Sequence, residues 1–307
     1  MAGFKRPDVL VLGGGGILGE AWMTAALVGL HDASGFDARD CEAFVGTSAG
    51  SIVAAVLAAG IEPSTRLGKL PEQPAVQEET QTRRRGAAPR AVRVALQAGR
   101  GAAAPFAAAG LRTTAPGGAL FRRTLLGLAP TGQRSLRGLG EHLERDGARW
   151  DGRLQVSAVD LATGKRVMFG APGAPEASVG DAVEASCAIP GVFHPIEIGG
   201  RAYVDGGAWS PTNLDVAPVE RGSRVLCLNP TGSLRGTIAG ALGIVSRSAA
   251  TVEALALERR GVKVKIVAPD AASVEALGGN LMNPRPRERV VAAGLAQGRA
   301  LAVRPGP

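Results

Sequence analysis

Two short glycine-framed segments near the N-terminus constrain most strongly what this chain can fold into. They are Gly13-Gly14-Gly15-Gly16-Ile17-Leu18-Gly19 and Gly46-Thr47-Ser48-Ala49-Gly50. Each segment follows a short apolar run and precedes an Ala- and Leu-rich stretch typical of a helix. Both are therefore predicted to be turns from a buried strand into a helix. In such turns backbone N–H groups can bind an anion, and a serine can be held on a sharp bend.

Hydrophobic periodicity extends this strand-to-helix pattern along the chain. It predicts strands at Val9–Leu12, 41–45, 154–159, 165–169, Arg224–Leu228 and 262–268, and helices at 20–30, 51–59, 182–188, 249–260 and 287–302. The strands at 154–159 and 165–169 are separated by a Gly-containing turn, which predicts a hairpin. Because strands and helices alternate, we expect an α/β fold with a mostly parallel sheet and helices on both faces.

Composition narrows the class of protein further. The chain has 307 residues, 45% of them hydrophobic and only 4% aromatic, so its core is mostly Ala, Val and Leu. The chain has an odd number of widely spaced cysteines, which are Cys41, Cys187 and Cys227. Such a set fits neither a disulfide framework nor a zinc site, and it favours a reducing compartment. The first apolar run is too short for a signal peptide, and no segment reaches the roughly 18 apolar residues of a transmembrane helix. These features predict a single cytoplasmic domain over residues 1–307.

Residues 61–140 differ in character from the rest of the chain. The stretch from Arg66 to Arg137 holds thirteen Lys and Arg against three acids, although the whole chain has a net charge of only +8. We interpret 61–140 as an Arg-, Ala- and Pro-rich insertion that forms a lid or faces an anionic membrane surface, with a disordered linker as the alternative. An Arg-rich proteome would equally explain the charge. Nucleic acid is not expected as a partner, because the stretch has almost no aromatic residues for stacking.

Ser48 is the candidate nucleophile, since it lies at the centre of a Gly-x-Ser-x-Gly turn and at the start of a helix. Its simpler interpretation is an ordinary N-cap serine. The run of glycines from Gly13 to Gly16 would supply N–H groups to a substrate oxyanion beside Ser48. A competing interpretation is a dinucleotide-binding loop, because Gly14-x-Gly16-x-x-Gly19 follows a strand and an acid, Asp37 or Asp40, lies at a suitable distance. That reading leaves the segment from Gly46 to Gly50 unexplained.

Two residues compete to be the base that activates Ser48. His194 would complete a Ser-His-Asp triad of the α/β-hydrolase type, with Asp160 or Asp181 as its partner. Asp205, in the sequence Asp205-Gly206-Gly207, ends an apolar run at a glycine turn. A carboxylate near pKa 4 is an inefficient base for a hydroxyl, so a Ser-Asp pair needs burial that raises the pKa or a strong oxyanion site.

Four blocks in this order resemble the patatin-like phospholipase family. They are Gly13–Gly19, Gly46–Gly50, Ala185-Ser186-Cys187-Ala188-Ile189-Pro190 and Asp205-Gly206-Gly207. The resemblance implies a three-layer α/β/α sandwich and a Ser-Asp dyad, with Ser48 as nucleophile and Asp205 as proton acceptor. It also implies an oxyanion hole around Gly14, Gly15 and Gly16 and a reaction without a metal or other cofactor. Leu18 stands where the family usually has a basic residue.

The expected substrates are phospholipids or other acyl-ester lipids, which implies a protein that works at the inner face of a membrane. Two other classes of protein remain alternatives. One is a nucleotide-binding module that uses the glycine loop, and the other is a lipid-binding scaffold without catalysis.

Overall fold

The computed structural model describes residues 4–68, 123–124, 126–127, 132, 134–234 and 237–303. In this part of the chain eight strands form one sheet: β1 (Val9–Leu12), β2 (Ala43–Gly46), β3 (Leu154–Asp160), β4 (Arg166–Phe169), β5 (Ile196–Ile198), β6 (Arg201–Asp205), β7 (Arg224–Leu228) and β8 (Lys263–Val267). The main α-helices of the described residues are α1 (Gly16–Ser34), α2 (Ala49–Ala58), α3 (Leu139–Arg145), α4 (Val179–Cys187), α5 (Thr237–Glu258), α6 (Ala271–Leu277) and α7 (Arg287–Val303).

The sheet is mixed, and its central part is parallel. Strand order is β5-β6-β3-β2-β1-β7-β8, with β4 also paired to β3. β1, β2, β3, β7 and β8 run parallel, whereas β4 and β6 are antiparallel to β3 and β5 is antiparallel to β6. The predicted mostly parallel sheet is confirmed, as is the β3–β4 hairpin.

Helices cover both faces of this sheet, as the alternation of apolar side chains along β1 illustrates. Leu10 and Leu12 belong to a core with residues of α1, α2, α4 and α7. Val9 and Val11 lie in a second core that includes residues of α5. Because successive strand residues point to opposite faces, two apolar cores on one strand require two helical layers. The expected three-layer α/β/α sandwich is confirmed.

Close packing between α1 and α7 fixes the helix that begins in the glycine loop. A Cβ atom on Gly29 would overlap the carbonyl group of Leu295, and one on Gly298 would overlap the carbonyl group of Ala26. The side chain of Trp22 also donates from Nε1 to Oε1 of Gln297 at 3.0 Å. The two helices can therefore approach only because glycines line their interface.

The largest differences from the sequence predictions lie in the C-terminal half. α5 begins at Thr237 rather than at 249, and α6 was not predicted. α6 is capped by Asp270, whose carboxylate accepts a hydrogen bond from the Ser273 N–H at 2.9 Å. Most of the predicted insertion 61–140 lies outside the described residues, so its role stays a prediction. No helix within the described ranges is both long enough and apolar enough to cross a membrane.

Candidate active site

Strand β3 brings the two ends of the proposed site to the same place. At the end of β2, Gly46 lies opposite Val156 of β3. At the end of β6, which runs in the opposite direction, Asp205 lies opposite Ala158. The turns that follow β2 and β6 therefore leave the sheet only two β3 positions apart, although they are distant in sequence.

Ser48 occupies a strained turn between β2 and α2. Its backbone has φ 50° and ψ −125°, a positive φ that is rare outside glycine and costs about 1–3 kcal/mol. Flanking glycines permit the turn, since a Cβ on Gly46 would overlap the backbone of Ser51 and a Cβ on Gly50 would overlap the carbonyl of Leu12. Such strain at a serine before a helix is typical of a nucleophile elbow.

Asp205 lies beside Ser48 and is held by the backbone around it. The Ser48 side chain lies close enough to the Asp205 carboxylate to lower the pKa of Asp205 through hydrogen bonding. The same carboxylate accepts a hydrogen bond from Gly207 N–H at 2.7 Å. Burial raises the pKa of Asp205 to about 6, because desolvation of the charged form outweighs these two hydrogen bonds, which lower it. Burial is thus the first of the two conditions under which a Ser-Asp pair was expected to work.

The segment around Ser186 contacts both residues of this pair. The N–H of Ser48 donates to Oγ of Ser186 at 2.8 Å. The N–H of Asp205 donates to the carbonyl of Ala188 at 3.0 Å. Sequence reasoning gave this segment no physical role beyond its resemblance to a family motif. Its position at the end of α4 orients the backbone on either side of the site.

The glycine loop after β1 lies next to Ser48. A Cβ on Gly14 would be 3.5 Å from Cβ of Ser48, which places this loop directly against the serine. The N–H groups of Gly13 and Gly14 donate to the carbonyls of Leu228 and Pro211, at 2.9 and 2.8 Å. The Gly14 N–H, one of three expected oxyanion donors, is therefore already bound to the protein. For Gly15 and Gly16 the described residues provide no hydrogen-bond acceptor to the N–H.

Cys187 is a buried thiol close to the candidate nucleophile. Its Sγ lies 4.0 Å from Oγ of Ser51, and burial raises its pKa far above the ordinary thiol value. Because a thiol must ionise to react, Cys187 stays neutral and does not compete with Ser48. All three cysteines are free and buried.

The alternative triad based on His194 is not assembled. His194 is exposed just before β5 and, in the described part of the chain, hydrogen bonds to neither candidate acid. Asp160 instead pairs with Arg201 at 2.5 Å. Asp181 lies in the first turn of α4 and is exposed.

The dinucleotide-binding alternative fails on topology. Asp37 and Asp40 precede β2, whereas the glycine loop follows β1. Because β1 and β2 are parallel, these acids lie at the opposite edge of the sheet from the glycine loop. Asp37 is also bound to Arg39 at 2.5 Å. A ribose-binding acid would have to follow β2, where the chain has Ser48 instead.

Comparison with known proteins identifies the family of this chain. A family model described as patatin-like phospholipase matches residues 10–218, which include both Ser48 and Asp205. Among solved structures, the chain is similar to VipD from Legionella pneumophila, with a TM-score of 0.45 and 16% sequence identity over 97% of this chain and 67% of that chain. The family model covers more than half of the sequence. The chain belongs to the patatin-like phospholipase family, a family of lipid acyl hydrolases.

Proposed function

We propose that this protein hydrolyses carboxylic ester bonds of phospholipids or related lipids with Ser48 as nucleophile and Asp205 as proton acceptor. The observation that carries the proposal is the approach of Ser48 to the buried Asp205 carboxylate, from turns that leave the sheet opposite Val156 and Ala158 of β3. A serine hydroxyl is a weak nucleophile until an adjacent base accepts its proton.

The proposed reaction has two halves that share one proton acceptor. As Oγ of Ser48 forms a bond to the acyl carbon, its proton passes to the Asp205 carboxylate. The same proton then goes to the alcohol that leaves, and acyl-Ser48 remains. In the second half Asp205 takes a proton from water, the resulting hydroxyl attacks the acyl carbon, and Ser48 departs with that proton.

We assign the oxyanion site to the N–H groups of Gly15 and Gly16. Gly14 is less suited to the role, because its N–H donates to Pro211 at 2.8 Å. α1 begins at Gly16 and α2 at Ala49, immediately after Ser48, so two helix N-termini adjoin the reacting serine. Their dipoles favour the negative charge that develops on the acyl oxygen.

Isotope labelling distinguishes this reaction from acyl transfer and from cleavage at phosphorus. The purified protein would be incubated with a mixed phospholipid extract in water enriched in ¹⁸O. We expect free fatty acids that carry one ¹⁸O from the solvent, together with the matching lysophospholipids. Unchanged lipid esters would contradict the proposal, and so would ¹⁸O that appears only in released phosphate groups.

Catalysis should depend on pH through Asp205. The base form is required, so kcat/KM for a short-chain p-nitrophenyl ester should fall tenfold per unit as the pH drops below about 6. Above that value the rate should be level until other groups titrate. If kcat/KM began to fall only near pH 4, Asp205 would have the pKa of a hydrated surface acid. That result would contradict its role as a buried base.

We also propose that the Arg-rich stretch from Arg66 to Arg137 draws the protein to anionic membrane surfaces. Its excess of positive charge would attract anionic lipid headgroups within the Debye length. Binding to vesicles that contain phosphatidylserine should exceed binding to pure phosphatidylcholine vesicles and should weaken as salt is raised. Equal binding to both vesicle types in a flotation assay would contradict this part of the proposal.

A further inference from the structure

A cluster of buried polar side chains lies beneath Ser48 and Asp205 and takes no part in the proposed proton transfers. It consists of Thr47, Ser157, Ser210 and Asn213, none of which is more than 4% exposed. Buried polar groups are costly unless they are hydrogen bonded, so a fully bonded cluster at this position specifies one arrangement of the chain.

Asn213 is the centre of this cluster. Its Nδ2 lies 3.0 Å from Oγ1 of Thr47 and 3.2 Å from Oγ of Ser157. The same nitrogen lies 2.8 Å from the carbonyl of Ser210 and 3.4 Å from that of Gly206. A single amide group therefore contacts the turn before α2, strand β3 and the turn after β6.

Two of these contacts adjoin the reacting residues. Thr47 immediately precedes Ser48, and Gly206 immediately follows Asp205. Ser157 lies between the β3 positions that oppose the ends of β2 and β6, and its hydroxyl donates to Oγ1 of Thr47 at 3.0 Å. The Asn213 amide thus connects the backbone that carries the nucleophile to the backbone that carries the base.

Asn213 is itself held in place from both sides of its backbone. Glu253 of α5 accepts hydrogen bonds from Thr212 Oγ1 at 2.7 Å and from Leu214 N–H at 2.8 Å. The backbone of Asn213 has φ 50°, a left-handed conformation that asparagine tolerates better than most residues. A residue fixed in this way can act as a reference point for others.

The amide oxygen of Asn213 is fixed by a charged group. It accepts a hydrogen bond from Nη1 of Arg166 at 3.1 Å. Arg166 makes a two-fold contact with Asp215 at 2.7 and 2.8 Å, and its guanidinium lies 5.2 Å from the ring centre of Trp209. Because Arg166 can only donate, it sets the amide so that Nδ2 faces Thr47 and Gly206.

We propose that Asn213 is a positioning residue that sets the separation between the Ser48 hydroxyl and the Asp205 carboxylate. The inference rests on the proposed function, since it concerns the geometry of that same pair. A displacement of about 1 Å between reacting groups can cost on the order of a hundredfold in rate. Loss of the amide should therefore slow the chemical step while leaving substrate binding almost unchanged.

The variant that tests this is Asn213→Gly, because glycine adopts the left-handed conformation without strain and removes only the side chain. Ser246→Ala is the matched control. Ser246 is also fully buried, and its hydroxyl hydrogen bonds to Asn229 at 2.8 Å in a separate polar cluster. Both variants lose buried hydrogen bonds and should unfold at a lower urea concentration than the natural protein, so stability alone does not separate them.

Kinetics measured well below the melting temperatures should separate the two. For Asn213→Gly we expect kcat on a p-nitrophenyl ester to fall about 100-fold with KM changed by less than about twofold. The rate at which a fluorophosphonate probe labels Ser48 should fall in parallel. Ser246→Ala should retain the kcat and the labelling rate of the natural protein.

The results distinguish an error about Asn213 from an error about the substrate or about the Ser48–Asp205 pair. Wild-type kcat and labelling rates in Asn213→Gly would overturn the positioning role, as would equal losses in Asn213→Gly and Ser246→Ala. If the fluorophosphonate probe labels Ser48 of the natural protein but no fatty acid is released from lipids, the proposed substrate class is wrong. The labelling rates then still decide the role of Asn213. If Ser48 is not labelled at all, the Ser48–Asp205 pair and the positioning role are both overturned.

Discussion

Ser48→Ala should abolish fatty-acid release, lowering kcat/KM by about 10⁴-fold or more. The reason is that Ser48 carries the hydroxyl that adjoins the Asp205 carboxylate, in the strained turn before α2. Release of fatty acid from phospholipid vesicles, followed by mass spectrometry, measures the effect. The exposed Ser248→Ala, on α5, serves as a matched control and should keep full activity.

Ser48→Ala should remain folded, and a second substitution at the same position tests the backbone strain of the turn. Ser48→Gly should be equally inactive, yet more stable than Ser48→Ala by about 1–2 kcal/mol, since glycine relieves the positive φ. Equal stabilities in urea would contradict the strained turn. Residual activity above about 1% in Ser48→Ala would mean that another group attacks the ester.

Asp205→Asn should lower kcat by about 10³-fold or more, because an amide cannot accept the serine proton. The matched control is Asp181→Asn, which removes an exposed acid that was a candidate partner of His194. Asp181→Asn and His194→Ala should both retain activity. An inactive His194→Ala beside an active Asp205→Asn would instead require a histidine-based mechanism.

Asp205→Asn should also stabilise the folded protein at alkaline pH. The pKa of Asp205 is raised from 3.8 to about 6, so ionising it costs more in the folded state than in the unfolded state. That cost is absent well below pH 3.8 and complete above about 6, where roughly two units at about 1.4 kcal/mol each amount to about 3 kcal/mol. Asp205→Asn should therefore be more stable in urea by up to this amount near pH 8, and by less than about 1 kcal/mol near pH 4. A variant less stable than the natural protein at both values would show that the carboxylate is not desolvated.

Local sequence patterns predicted the N-terminal half of the site well. The strand β1, the glycine loop, the helix after it and the turn at Ser48 all follow from apolar runs broken by glycine. These features depend on neighbours within a few residues, which a sequence displays directly. The hairpin β3–β4 was visible for the same reason.

Features set by distant contacts were not predictable in the same way. α5 extends back to Thr237, and there Gly243 packs so tightly that a Cβ would lie 2.6 Å from the carbonyl of Leu234. Glycine in a helix normally argues against helix, so tertiary packing overrides the local preference. Similarly, Asn213 and Thr47 are in contact although 166 positions apart in the sequence, and no local pattern around either residue predicts this contact.

The sequence patterns suggested ligand-binding roles for the glycine loop, and the structure adds a packing role. The loop was expected to present N–H groups to an oxyanion, but Gly13 and Gly14 donate to neighbouring carbonyls. Gly15 has a packing role, since a Cβ there would lie 2.7 Å from Cβ of Pro230. Glycine is required in this loop for close packing as well as for any contact with substrate.

The central claim is that the acyl group passes through Ser48, and the most direct test is to trap it there. The natural protein would be mixed briefly with a p-nitrophenyl ester, quenched in acid and digested with trypsin, and the peptide 40–66 would be sequenced by mass spectrometry. We predict that the mass of one acyl group is added at Ser48, and that the same peptide from Ser48→Ala carries none. An acyl group on Ser51, Ser64 or a cysteine with Ser48 unmodified would contradict the account.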